Sequence, residues 1–167
     1  SHIAVIGVGG LGHLALQLAR AWGCEVTGIT TSRSKTQEIL DLGAHHVQLL
    51  AELDQQRGAY DLIINTSNHS LDWDAVVGSL APGGSLHQLG LCATPIPLRV
   101  FPFVKGNLSF RSSLTSTPAN TALLLAFCAR HGISPLVEVL PMAEINTAVE
   151  RLRQGDVRYR FVLQGPA

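Results

Sequence analysis

The chain has 167 residues, with twelve Lys plus Arg against twelve Asp plus Glu, and carries no formal net charge. That length fits one ordinary domain and excludes two full ones; a 46% apolar share excludes disorder, and the charge balance argues against a nucleic-acid binder. Only 14% of residues are charged, so the surface is either unusually neutral or partly covered by something outside these residues.

The opening run His2-Ile3-Ala4-Val5-Ile6 is short, β-branched and apolar, as expected of a strand buried on both faces of a parallel sheet. Leu11, Leu14, Ala15, Leu18, Ala19 and Trp22 then recur at helical spacing, with Gly23 as a C-terminal cap. Glu25 to Thr30 predicts a second strand, and Ser34 to Gly43 a second helix whose Ser34 and Gln37 have capping-box spacing. Strands follow near His46 to Leu50 and at Asp61 to Asn65, and Trp73, Val76, Val77 and Leu80 supply another helical face. Pro82-Gly83-Gly84 signals a turn before a strand over Ser85 to Leu89. Residues 92–105, with Pro95, Pro97 and Pro102, predict an irregular loop. Thr117 and Pro118 open a helix that runs to Gly132; Ile145, Ala148, Val149 and Leu152 mark a last helix before a closing strand at Tyr159 to Leu163. Alternation of this kind predicts an α/β fold: a Rossmann-type, doubly wound parallel sheet in three αβα layers, occupying residues 1–167 as one domain.

The chemistry concentrates in Gly7-Val8-Gly9-Gly10-Leu11-Gly12. Such a glycine pattern is weak alone, but here it follows a buried-type strand and opens a periodic helix. Gly7 permits the tight turn, Gly9 lets backbone approach a pyrophosphate, and Gly12 lets helix pack closely on strand. The helix N-terminus then offers unpaired N–H groups and a positive dipole end to an anion. A turn that serves packing alone is the competing reading.

About twenty residues further on, a unit that binds NAD usually presents an acid to the ribose 2′-hydroxyl. This chain instead reads Thr30-Thr31-Ser32-Arg33-Ser34-Lys35. Hydroxyls and basic groups suit a 2′-phosphate that a carboxylate would repel, each charge-assisted bond contributing roughly 1.5–3 kcal/mol. NADP(H) is therefore expected in preference to NAD(H). An ordinary capped helix start with solvated basic residues is the alternative.

Taken with Leu42-Gly43-Ala44, Tyr60-Asp61-Leu62, Leu80-Ala81-Pro82-Gly83-Gly84 and Tyr159-Arg160-Phe161-Val162-Leu163, the glycine segment resembles the zinc-type medium-chain alcohol dehydrogenases. Within them it is most similar to the NADP-dependent cinnamyl-alcohol dehydrogenases and their bacterial aldehyde-reductase relatives. The resemblance implies the cofactor half of an oxidoreductase acting on a small alcohol or aldehyde. The GroES-like catalytic domain of that family, holding zinc and the substrate-facing residues, has no match in these residues. By resemblance Gly9, Gly10, Leu11 and Gly12 contact the pyrophosphate, while Thr31, Ser32, Arg33 and Lys35 surround the adenosine phosphate. Thr66 and Gly90 lie along the path to the nicotinamide, and Ser113, in Ser112-Ser113-Leu114-Thr115-Ser116, near its carboxamide. The family often has Gly-Ser where this chain has Ser112-Ser113, so Ser113 ranks below the glycine turn. The resemblance also implies a homodimer through a sheet edge at residues 108–116.

Other residues invite roles that the pattern does not support. Adjacent His45 and His46 on a strand point to opposite faces and cannot easily share an ion. His13 is expected to pack or help fill the cleft, Asp72 and Asp74 to mark a helix start, and Cys92 to be small and buried. Cys24, Cys92 and Cys128 suggest neither a disulfide framework nor a thiolate metal site. No apolar run has the length of a membrane span and no signal pattern opens the chain, so a soluble, cytoplasmic protein is expected. The isolated chain should bind cofactor without turnover. A non-catalytic NAD(P)-sensing module is the alternative function, and an S-adenosylmethionine methyltransferase is disfavoured by the missing acid after the second strand.

Overall fold

Strand β1 (His2–Ile6) is buried on both faces, and its alternation divides the core. Ile3 and Val5 pack with Leu16, Ala19, Val26 and Ile39, whereas Ala4 and Ile6 pack with Ile63, Trp73, Val76 and Leu86. Each such side chain, once fully buried, contributes about 1.5–3 kcal/mol, so the central strand ties two helical layers together. The structure is a computed structural model that describes residues 1–165; positions 166 and 167 of the expected domain lie outside the described residues.

Helix α1 (Gly12–Ala21) follows the glycine turn and ends before Gly23, whose φ of +82° needs no Cβ. Its buried face is Gly12, His13, Leu16 and Ala19, rotated from the predicted stripe. Gly12 must face the sheet to permit close approach, which turns Leu11 and Trp22 outward; Trp22 meets Phe127 at 5.0 Å between ring centroids. Strand β2 (Glu25–Thr30) is followed by a 3-10 turn at Arg33–Lys35 and helix α2 (Thr36–Asp41). Ser32, rather than the predicted Ser34, is the cap, its hydroxyl accepting the N–H of Ser34.

Strands β3 (His46–Leu49), β4 (Tyr60–Asn65), β5 (Leu80–Gln88) and β6 (Ser109–Ser112) complete a parallel sheet in the order β3-β2-β1-β4-β5-β6. That order is the doubly wound Rossmann arrangement. Helix α3 (Trp73–Gly78) follows β4 and packs Trp73 and Val76 on the face opposite α1. Asp72 caps it, accepting the N–H groups of Asp74 and Ala75, and Asp74 pairs with Arg99. Pro82-Gly83-Gly84 does not interrupt β5 as predicted. A register shift against β4 absorbs it, with Gly83 at φ +78°.

The predicted loop 92–105 contains helix α4 (Val100–Gly106), which ends at Asn107 in the left-handed conformation. Helix α5 (Pro118–His131) begins and ends as predicted, with the Thr117 hydroxyl accepting the N–H of Asn120 and Gly132 at φ +65°. Strand β7 (Val137–Pro141), absent from the sequence reading, is followed by helix α6 (Ile145–Arg153) and strand β8 (Arg160–Gln164). The expected closing strand does not join the main sheet: β8 pairs in parallel with β7 in a separate two-stranded sheet. The short, evenly alternating exposure of both strands suits a small sheet covered on one side only.

Among the described residues no helix is long and apolar enough to cross a membrane, and Cys24, Cys92 and Cys128 are free thiols. Gly28 of β2 gives a test of the layer packing, since a Cβ there would stand 2.2 Å from Cγ2 of Ile39. Gly28→Ala should cost about 1–3 kcal/mol in urea unfolding through overpacking. Combined with Ile39→Ala it should cost less than the sum of the two single changes; simple additivity would contradict the contact.

Candidate functional site

The chain leaves β1 for one face of the sheet and β4 for the other, which opens a crevice at the carboxyl ends of these neighbouring strands. The turn between β1 and α1 crosses that crevice. Gly7 has φ +86°, and a Cβ on it would lie 2.9 Å from the amide nitrogen of Ser67. Gly12 is tighter still, with the carbonyl oxygen of Gly7 only 2.2 Å from where its Cβ would be. Thr66, following β4, donates its hydroxyl to the same Gly7 carbonyl at 2.5 Å. Above this packed base Gly9 is open: nothing lies within 4 Å of its absent Cβ. The arrangement leaves backbone facing a cleft of about 560 Å³, with the first turn of α1 supplying N–H groups that have no helical partner.

Of the predicted residues, Gly7, Gly9, Gly10, Leu11, Thr31, Lys35 and Thr66 line this cleft together, and Gly12 lies against Gly7 and Thr66 beneath it. Ser32 caps the 3-10 turn at the rim. Arg33 points away into an ion pair, its guanidinium 2.8 Å from the Glu52 carboxylate and its side chain 76% exposed. Gly90 lies outside the lining but is where the loops after β4 and β5 meet, since a Cβ would fall 1.9 Å from the carbonyl oxygen of Ser67. Ser113 is exposed just past the edge strand β6, with its hydroxyl 3.0 Å from Nε2 of His87, and it does not line the cleft.

The remaining polar residues have local duties. His46 pairs with Glu25, holding that carboxyl below the usual range, and His45 Nδ1 accepts the N–H of Val26. Among the described residues no group of three or more His, Cys, Asp or Glu side chains could hold a metal. Cys92 packs partly buried against the core and receives a weak bond from the Gln88 amide at 3.6 Å.

Three features escape the sequence reading. First, Asn65 and Gln88, at the ends of β4 and β5, form a buried amide pair at 2.8 Å. The Asn65 side chain accepts the N–H of Ser67, and Gln88 donates to the carbonyl of Gly90, so the pair sets both loops. Two amides at the carboxyl ends of neighbouring strands were the available signal. Second, Asn68, His69 and Ser70 form a polar cleft wall. Third, Arg160 of β8 reaches back 150 residues to donate from Nε to the carbonyl of Gly10 at 3.0 Å, and it lines the cleft. Only the tertiary structure brings that cation to the glycine turn.

The zinc-binding dehydrogenase family model matches residues 10–130. The aldehyde reductase AdhA of Synechocystis is 44% identical over 96% of this chain and 49% of its own length. A cinnamyl alcohol dehydrogenase from Sorghum bicolor superposes with a TM-score of 0.92 at 34% identity, over 98% of this chain and 47% of that one. The CAD of Helicobacter pylori, solved with NADP(H), gives 0.85 at 29% identity, over 96% and 47%. The chain thus spans about half the length of these relatives. Glycine turn, crevice and strand order agree with that match over most of its length: the chain belongs to the zinc-binding dehydrogenase family.

Proposed function

We propose that the chain is the NADP(H)-binding domain of a zinc-dependent alcohol dehydrogenase or aldehyde reductase. The observation that carries this reading is the open backbone of Gly9 above the Gly7–Gly12 contact, in a cleft whose far rim offers Thr31 and Lys35. When bound, the nicotinamide supplies the hydride exchanged with an alcohol or aldehyde. The chain's own residues hold and orient it. The α1 N-terminus and the glycine turn take the pyrophosphate, with Arg160 adding a cation beside Gly10. Thr31, Ser32 and Lys35, together with Arg33 once released from Glu52, take the 2′-phosphate. Thr66 and Gly90 set the carboxyl ends of β4 and β5 along which the nicotinamide half runs, with Ser113 further out.

A catalytic zinc, on this reading, belongs to the GroES-like domain that the resemblance to zinc-type alcohol dehydrogenases implies for the full-length enzyme. The isolated chain is expected to bind cofactor without turnover. Free thiols support a reducing compartment such as the cytoplasm. Exposed Phe101 and Val104 on α4 and Phe110 on the open edge β6 support a homodimer through residues 108–116.

Fluorescence titration with NADPH, NADH and S-adenosylmethionine tests the reading. NADPH should bind about tenfold to a hundredfold tighter than NADH, from one charge-assisted contact to the extra phosphate. Tighter NADH, or binding of the methyl donor alone, would overturn it. Arg33→Ala should weaken NADPH and leave NADH nearly unchanged; equal losses would mean that the phosphate is read elsewhere. Conversely, Glu52→Gln frees Arg33 and should strengthen NADPH about twofold to fivefold, the range of an exposed ion pair. An unchanged NADPH affinity there would show that Arg33 does not move to the phosphate. In sedimentation at micromolar concentration the chain should run as a dimer, and Phe110→Lys should shift it to monomer; a monomer from the outset would count against the edge pairing.

A further inference from the structure

The C-terminal unit formed by β7, α6 and β8 is held to the sheet domain by few buried side chains. Among the described residues, only Ala148 and Tyr159 of residues 133–164 are buried hydrophobics, and Tyr159 alone enters the main core beside Leu16 and Ile39. Tyr159 is also the residue immediately before Arg160. Whatever seats its ring therefore sets the start of the side chain that reaches the glycine turn.

His13, fully buried in the first turn of α1, seats it. The imidazole and the Tyr159 ring stack with centroids 4.7 Å apart and planes 12° from parallel. Nδ1 lies 2.9 Å from the carbonyl oxygen of Gly9 and donates to it; Nε2 accepts the backbone N–H of Leu136 at 3.2 Å. Both nitrogens are used, and the two partners require one neutral tautomer. Leu136 in turn accepts the N–H of Tyr159 at 3.1 Å, which joins the strands on either side of the ring. On the outer side the Tyr159 hydroxyl donates to Glu38 of α2, and Arg158 pairs with the same carboxylate at 2.8 Å. The ring is thus fixed from below by the glycine-turn helix and at its tip by α2.

We propose that His13 and Tyr159, with Glu38, are positioning residues that clasp the C-terminal unit onto α1 and so hold Arg160 over the glycine turn as the second wall of the pyrophosphate site. None of the three lines the cleft: Tyr159 and Glu38 act through Arg160, and His13 acts both through Arg160 and through the Gly9 carbonyl. A single ring reports both ways: His13 holds the Gly9 carbonyl on one nitrogen and the C-terminal unit on the other. The inference rests on the NADP(H) reading of the cleft.

The test is a double-mutant cycle on the full chain, read as NADPH affinity, with adenosine 2′-monophosphate as a probe lacking the pyrophosphate. Arg160→Ala should weaken NADPH about tenfold, the size of one charge-assisted contact. Glu38→Gln removes the ionic ties at a partly exposed site and should weaken NADPH about threefold; His13→Phe, which keeps the stack and loses both hydrogen bonds, should do the same. In the Arg160→Ala background Glu38→Gln should not weaken NADPH further, whereas His13→Phe, which also frees the Gly9 carbonyl, should keep only part of its loss, and neither should alter binding of adenosine 2′-monophosphate. A Glu38→Gln loss that adds in full to that of Arg160→Ala, a His13→Phe loss undiminished in that background, or losses that fall equally on the monophosphate would reduce the clasp to a structural contact and overturn the proposal. Should His13→Phe fail to fold by circular dichroism, the Glu38→Gln cycle decides alone. Failure of the unaltered chain to bind NADPH would overturn the dinucleotide reading and this inference with it, whereas NADPH binding indifferent to Arg160→Ala would overturn this inference only.

Discussion

The contact between Gly12 and the carbonyl of Gly7 constrains everything built at the carboxyl edge of the sheet. With 2.2 Å between that oxygen and the place of a Cβ, only glycine lets α1 begin so close to β1. The Thr66 hydroxyl takes up the same carbonyl, so the turn is also tied to β4. The helix is consequently aimed across the gap between β1 and β4, and its unpartnered N–H groups face the crevice. Rotation of α1 into this contact accounts for the outward position of Leu11 and Trp22 as well. One close approach thus determines the anion site and the face that α1 offers to its neighbours.

Two further devices refine the edge. The buried Asn65–Gln88 pair satisfies its polar atoms within the protein and thereby fixes where the chain leaves β4 and β5. Unpaired amides at that depth would be costly, so the loops carrying Thr66, Ser67 and Gly90 have little freedom to drift. The C-terminal unit supplies the other device by bringing a guanidinium to a turn that has no basic side chain of its own. Burial and the Glu38 carboxylate both push the Tyr159 phenol above its usual titration range, so the ring stays protonated and its donor remains available.

The low charge content acquires a structural counterpart. Leu123, Leu124 and Leu125 on α5, Phe101 and Val104 on α4, and Leu114 beyond the edge strand are exposed. Helix α5 has no buried residue and is apolar on most sides, which is unusual for a helix facing water. These surfaces match a chain that spans about half the length of its relatives.

Much of the fold was legible because its signals are local. A uniformly apolar five-residue run, a glycine turn and a periodic helix specify strand, turn and helix without distant partners. Thr117, Pro118 and Gly132 likewise mark the bounds of α5 by their own backbone chemistry. The misses have equally physical causes. α4 hides among prolines that read as loop, β7 is too short and too exposed to stand out, and the rotation of α1 follows from a glycine contact rather than from apolar spacing.

The glycine cleft and the hydroxyl-rich, basic rim after β2 were readable because neighbours in sequence build them. By itself the sequence determined the fold class, the turn, and the absence of an acid where β2 ends. Tertiary structure decided the rest: the pairing of Arg33 with Glu52, the seating of His13 between Gly9 and Leu136, and the return of Arg160 to Gly10. Apart from the local His13–Gly9 bond, those contacts join residues 19 to 150 positions apart, and no local pattern records a partner that chain folding alone brings within hydrogen-bond distance.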